Sequence, residues 1–176
     1  QKGLIKKEFP ASKIKIRNFL RKQNKDHEFT TLQAEVYGPM ILKATPYPGV
    51  LKVLKHLNKQ SIEKFIVSHK TIYPYKGPRY KLRDYALSWM KKNNFFSKDD
   101  LNWNRDKIFF EETIENKVER IKKLGCTHYI DDLTEVLNLL PQNIIRIHFS
   151  PTEKVIWDKG ETIRNWNEFL TFFDSN

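Results

Sequence analysis

A single cysteine, Cys126, stands in 176 residues, so no internal disulfide can form and the small secreted, disulfide-stapled class is excluded. A lone thiol suits a reducing compartment, and the expected location is the cytoplasm. Nor does any apolar run approach the roughly 20 residues that a membrane-crossing helix needs, and Gln1-Lys2-Gly3 does not open a signal peptide. One cysteine and five scattered histidines (His27, His56, His69, His128, His148) offer no zinc-ligand spacing. Cys126 follows Gly125 at an expected helix end and precedes an apolar strand, which gives it a packing role and not a nucleophile's. Internal repeats and low-complexity tracts are missing as well.

What is present suits one globular unit of ordinary size. Apolar residues make up 39% and aromatics 13%, enough to build a core without metal or disulfide staples. Basic residues outnumber acidic ones, 32 against 21, and the formal charge of +11 favours anionic ligands such as phosphate esters, nucleotides or nucleic acid.

Punctuation and periodicity divide the chain into alternating elements. Ile16, Phe19 and Leu20 predict a helix over 12–25, and Thr30 opens a second that Gly38-Pro39 stops. The turn Thr45-Pro-Tyr-Pro-Gly49 leads into a helix with Val50, Leu51, Leu54 and Leu57 as its stripe. A strand is expected over 63–68, a helix carrying Leu82, Tyr85, Ala86, Trp89 and Met90, and a strand over 106–111. Thr113 caps the next helix, which bears Val118, Ile121 and Leu124 and ends at Gly125. Strands over 127–131 and 143–149 flank a short helix from Leu133 to Leu140, and a last helix is expected from Glu161 to Phe173. Such alternation predicts an α/β fold with a doubly wound, mostly parallel, Rossmann-like sheet. Ligands bind such sheets at the carboxyl ends of the strands.

Three of those positions carry convergent chemistry. Ser68 ends the strand Phe-Ile-Val-Ser, Lys117 lies in the first turn after Thr113, and Asp131-Asp132 follow the strand Thr-His-Tyr-Ile. A hydroxyl and an ammonium hold phosphoryl oxygens, while hard carboxylates suit Mg²⁺. Two adjacent carboxylates after a buried strand repel each other unless a cation or hydrogen-bond donors compensate. His69, Lys70 and Thr71 follow the hydroxyl and widen the anion site, and Tyr73 and Tyr75 lie in a proline-stiffened loop.

In order, interval and strand context these residues resemble the haloacid dehalogenase-like phosphatases over about Tyr47 to Ser150. By that resemblance Ser68 and Lys117 are the catalytic candidates, and Ser68, His69 and Lys70 bind substrate. Asp131 and Asp132 hold Mg²⁺. Residues 1–44 form a small helical cap insertion and 45–176 the α/β core. The family's first motif, Asp-x-Asp on the central strand, is missing before Ser68, where the sole aspartate is Asp26. The expectation is therefore a Mg²⁺-dependent phosphohydrolase of a small phosphorylated metabolite, working through an aspartyl-phosphate whose nucleophile and central strand lie upstream of Gln1. A catalytically inactive phospholigand-binding relative and a basic nucleic-acid-binding module are the alternatives. Nucleic acid is the less favoured partner because lysines spread along the whole chain. A response-regulator receiver uses the same residue types, but its acidic pair comes first in the chain, and here it comes last.

Overall fold

The computed structural model describes residues 3–6, 8, 9, 12–152 and 157–175, the side chains of residues 13 and 14 apart. In chain order the elements are α1 (Lys13–Lys22), α2 (Asp26–Tyr37), a 3₁₀ turn (Pro39–Lys43), α3 (Val50–Lys59), β1 (Ile66–His69), α4 (Leu82–Lys92) and a 3₁₀ turn (Arg105–Lys107). There follow β2 (Ile108–Glu111), α5 (Ile114–Lys123), β3 (His128–Asp131), α6 (Thr134–Asn138), β4 (Ile145–Phe149), β5 (Glu161–Ile163) and α7 (Trp166–Asp174). No helix among the described residues is long and apolar enough to cross a membrane.

The chain forms two compact units. The first runs to Ala44 and also takes in Thr71–Trp89. It is helical: Ser12 caps α1 by accepting from the Lys15 N–H, and Leu20, Phe29, Ala34, Leu82 and Ala86 are buried. The helix α2 starts at Asp26, earlier than the expected Thr30, because Asp26 and Glu28 favour the positive end of the helix and Phe29 is buried one turn in. The segment after Thr71 packs on α2. Gly77 adopts a left-handed backbone (φ 94°) against Ala34 and Thr31, and the Tyr80 hydroxyl donates to Glu35 at 3.4 Å. Trp89 Nε1 donates to the Ala44 carbonyl at 2.8 Å.

The second unit, Thr45–Lys70 with Met90–Asn176, is mixed α/β. Every described strand pair is parallel: β1 with β2, and β3 with β4 with β5, in two small sheets. Val67 of β1 shares a core with Val118 and Ile121 of α5, Val136 and Leu137 of α6, and half-buried Tyr129 of β3. On the other face of the second sheet Val53 and Leu57 of α3 and Phe169 of α7 cover Ile147, Phe149 and Ile163. The stripe of α3 thus centres on Val53, which is fully buried, with Leu54 half-buried beside it.

The expected helix from Glu161 divides in two. Glu161–Ile163 is a strand pairing with β4, and α7 begins only at Trp166. Asn165 sets that start: its side-chain oxygen accepts from the N–H groups of Asn167 and Glu168, as an N-cap does. The β-branched Thr162 and Ile163 before it take the extended form.

Candidate functional site

Lys117 reaches its position through its helix. Thr113 has an extended backbone, and its hydroxyl accepts from the Asn116 N–H at 3.1 Å, which fixes where α5 begins. Lys117 is the fourth helical residue, next to buried Val118, and is itself 6% exposed. Within the same first turn the carboxyl of exposed Glu115 is held below its usual range, mainly by its own backbone N–H and then by the Thr113 hydroxyl.

Asp131 ends β3 and is buried, whereas Asp132 is exposed. The Lys117 ammonium donates to Asp131 Oδ2 at 2.5 Å, and Asp131 Oδ1 accepts from the Leu133 N–H at 3.0 Å. Both carboxylate oxygens are therefore engaged. Lys117 Nζ also lies 5.6 Å from the centre of the Tyr129 ring. Burying an ion pair costs roughly what its attraction returns, so it is a poor device for stability alone. Its position at a strand end is where chemistry is expected.

Tyr129 connects this pair to β1. Its hydroxyl donates to the Val67 carbonyl at 2.8 Å, and burial first, then the Asp131 carboxylate, push its ionisation far above the usual tyrosine range. Lys70 N–H donates to Glu111 O, which turns the backbone groups of Ile66 and Ser68 toward β2 and those of Val67 and His69 toward the free edge. The Val67 carbonyl that Tyr129 binds is thus an edge group.

The other candidates lie around this pair. Ser68 is half-buried beside Val67, and among the described residues no hydrogen bond joins its hydroxyl to Lys117 or Asp131. His69 is exposed, and its Nε2–H donates to the Glu112 carbonyl at 2.9 Å. Lys70 extends the β1 ladder through its backbone. The structure brings together Lys117 and Asp131, while Ser68 follows Val67, whose carbonyl accepts from Tyr129. Cys126 is half-buried, and burial raises its thiol pKa, which suits packing rather than nucleophilic attack.

His148 was not among the sequence candidates. It pairs with Asp131 across the β3–β4 ladder, so the two side chains are neighbours on one face. It is 3% exposed, its ring stands edge-on to Trp157 at 5.8 Å, and its buried Nδ1 has no partner among the described residues. Alternation in Arg-Ile-His-Phe puts His148 opposite Ile147, but only the strand register sets it beside Asp131.

Comparison of the chain with family models, characterised proteins and solved structures finds no match.

Proposed function

We propose that the second unit is the body of a Mg²⁺-dependent phosphohydrolase that acts on a small phosphorylated metabolite through an aspartyl-phosphate. The observation that carries this reading is the buried Lys117–Asp131 pair at the carboxyl end of a parallel strand. Among the described residues, β1 and β3 each have an edge with no strand partner. Adjacent strands lie about 4.8 Å apart, and a strand pairing with the free edge of β1 would take up the Val67 carbonyl that now accepts from the Tyr129 hydroxyl. In this reading that strand lies upstream of Gln1, completes a single doubly wound Rossmann-like sheet, and brings the nucleophilic aspartate beside Lys117. Residues 1–44 serve as the cap.

The donor set suits Mg²⁺, which takes one or two carboxylates and completes its shell with phosphate and water. Asp131 and Asp132 would hold it, and when bound it supplies positive charge against the phosphoryl oxygens. The Lys117–Asp131 pair is neutral as it stands, so the cation and the anionic substrate are expected to enter together. Lys117 neutralises the aspartyl nucleophile and the transferring group, the Ser68 hydroxyl donates to a phosphoryl oxygen, and His69 and Lys70 draw the ester to the strand end. The test is hydrolysis of para-nitrophenyl phosphate by protein carrying its upstream sequence, with and without Mg²⁺. Mg²⁺-dependent turnover that Lys117→Met reduces on the order of 10²-fold supports the reading; an inert protein with an intact Asp-x-Asp removes it and leaves a phospholigand-binding relative.

A second reading draws on where the charge lies. Residues 1–44 and 71–89 hold 14 Lys or Arg against 5 Asp or Glu, a formal +9, whereas the remainder holds 18 against 16, a formal +2. That concentration, with Tyr75 78% exposed, favours nucleic-acid binding by the first unit. Affinity for single-stranded nucleic acid that falls steeply with salt would support it, and salt-independent or absent binding would dismiss it.

A further inference from the structure

In the first unit the segment from Thr71 to Arg83 carries an exposed aromatic ring among cations. Tyr75 is 78% exposed, and among the described residues it makes no hydrogen bond or ring contact. The other two tyrosines of the segment are engaged. The Arg79 guanidinium carbon stands 4.3 Å from the centre of the Tyr73 ring. Tyr80 lies edge-on to Tyr85 at 5.8 Å, and its hydroxyl donates to Glu35 at 3.4 Å.

The backbone that presents the Tyr75 ring is tied down. Leu82 N–H donates to the Ile72 carbonyl at 2.9 Å and closes the base of the loop, and Tyr80 N–H donates to the Pro78 carbonyl at 2.8 Å. The Thr71 hydroxyl donates to the Tyr73 carbonyl at 2.7 Å. Pro74 and Pro78 fix their own φ. At Gly77, with its left-handed backbone, a Cβ would stand 3.2 Å from the Ala34 Cβ, so the turn after Lys76 lies close on α2. Little ordering entropy is left to lose when such a loop meets a partner.

Residues 71–83 contain Lys76, Arg79, Lys81 and Arg83 and no carboxylate. Lys76, Arg79 and Lys81 are exposed, and among the described residues none of the three is in an ion pair, those of the first unit being Arg21–Asp26 and His27–Glu28. The carboxylates bordering the segment are Glu35, which accepts from Tyr80, and Asp84, which follows it, so the group stands at a formal +2. We infer that Tyr75 is a stacking platform for a base of single-stranded nucleic acid, with Lys76 and the other exposed cations of the loop drawing its phosphates. The inference rests on the nucleic-acid reading of the first unit and locates it. A single strand offers free base faces, which a duplex keeps within its own stack. A small metabolite needs a pocket that encloses most of it, whereas a strand meets several cations on an open surface. Tyr75 and Ile72, which is 43% exposed, give a lipid surface little apolar area to hold.

The test is fluorescence anisotropy of a fluorescein-labelled oligothymidine titrated with the full chain over a series of salt concentrations. The unmodified chain is expected to bind, with an affinity that falls as salt rises. Tyr75→Ala is expected to weaken binding about tenfold, equivalent to about 1.4 kcal/mol, and Tyr75→Phe, which keeps the ring, to stay within about twofold of the unmodified chain. Lys76→Gln together with Lys81→Gln should flatten the log–log salt slope by roughly 1.4, about 0.7 for each phosphate contact. Full affinity in Tyr75→Ala, an equal loss in Tyr75→Phe, or an unchanged slope in the lysine pair overturns this site and leaves the first unit to bind through another surface. No binding by the unmodified chain overturns the site and the nucleic-acid reading together. Tyr75-dependent sedimentation with phosphatidylserine vesicles, without oligonucleotide binding, also overturns it and gives the surface to lipid.

Discussion

The Tyr129 hydroxyl and the Val67 carbonyl, 62 residues apart, meet at 2.8 Å and join a strand of one small sheet to a strand of the other. The phenol is protonated in both folded and unfolded chains below pH about 10, and its raised folded pKa costs nothing there. Above about pH 10 the unfolded chain releases this proton and the folded chain keeps it, so stability falls as pH rises. Phenolate absorbance during an alkaline titration should show one tyrosine ionising only with unfolding, and Tyr129→Phe should delete that step. Removing the hydroxyl should itself cost about 1 kcal/mol.

Breaking the Lys117–Asp131 pair from either side leaves a buried charge without its partner. Lys117→Met and Asp131→Asn should each destabilise by about 3 to 5 kcal/mol. Denaturant unfolding of the double variant should show a loss smaller than the sum by at least about 1 kcal/mol. Additive losses would mean that the two side chains do not interact.

Ser68 separates function from stability. Its hydroxyl makes no hydrogen bond to the Lys117–Asp131 pair, so Ser68→Ala should shift stability by no more than about 0.5 kcal/mol. If the proposed hydrolysis is right, the same change lowers kcat on the order of 10²-fold through loss of one donor to the phosphoryl group. Unchanged turnover in an active enzyme would take Ser68 out of the site.

Two glycines should respond differently to alanine. At Gly38 a Cβ would stand 2.6 Å from the Ala34 carbonyl oxygen and 2.7 Å from the Tyr80 ring, whereas at Gly125 (φ 64°) it would meet nothing within 4 Å. Gly38→Ala should cost roughly 2 kcal/mol or more from overlap, and Gly125→Ala about 1 kcal/mol from the left-handed backbone alone. Urea midpoints that reverse this order would contradict the packing described for Tyr80.

Much of the element order was legible because periodicity was strong. Leu82 to Met90 and Val118 to Leu124 repeat at helical spacing, and α5 is bounded by the Thr113 hydroxyl at its start and the left-handed backbone of Gly125 just past its end. Lys117 and Asp131 were legible as candidates, but their contact was not, since it depends on how α5 packs beside β3. The strand Glu161–Ile163 escaped because three residues carry no usable alternation and Trp166 to Phe173 continues the helical pattern after it. The signal that could have found it was Asn165 followed three residues later by Glu168, whose carboxylate accepts from the Arg164 N–H and the Asn165 amide. His148 escaped for another reason: only the β3–β4 register puts it beside Asp131.

The division of the second unit into two ladders also bears on how it comes apart. Val67 and Tyr129 belong to one apolar cluster, yet among the described residues no backbone hydrogen bond runs from β1 to β3. Side chains hold that seam, and the peptide groups on either side of it close only within their own ladder. Local opening is therefore expected to release the amides of Ile66–His69 and Ile108–Glu111 together while those of β3, β4 and β5 stay protected, giving two rates of breathing across one apolar cluster.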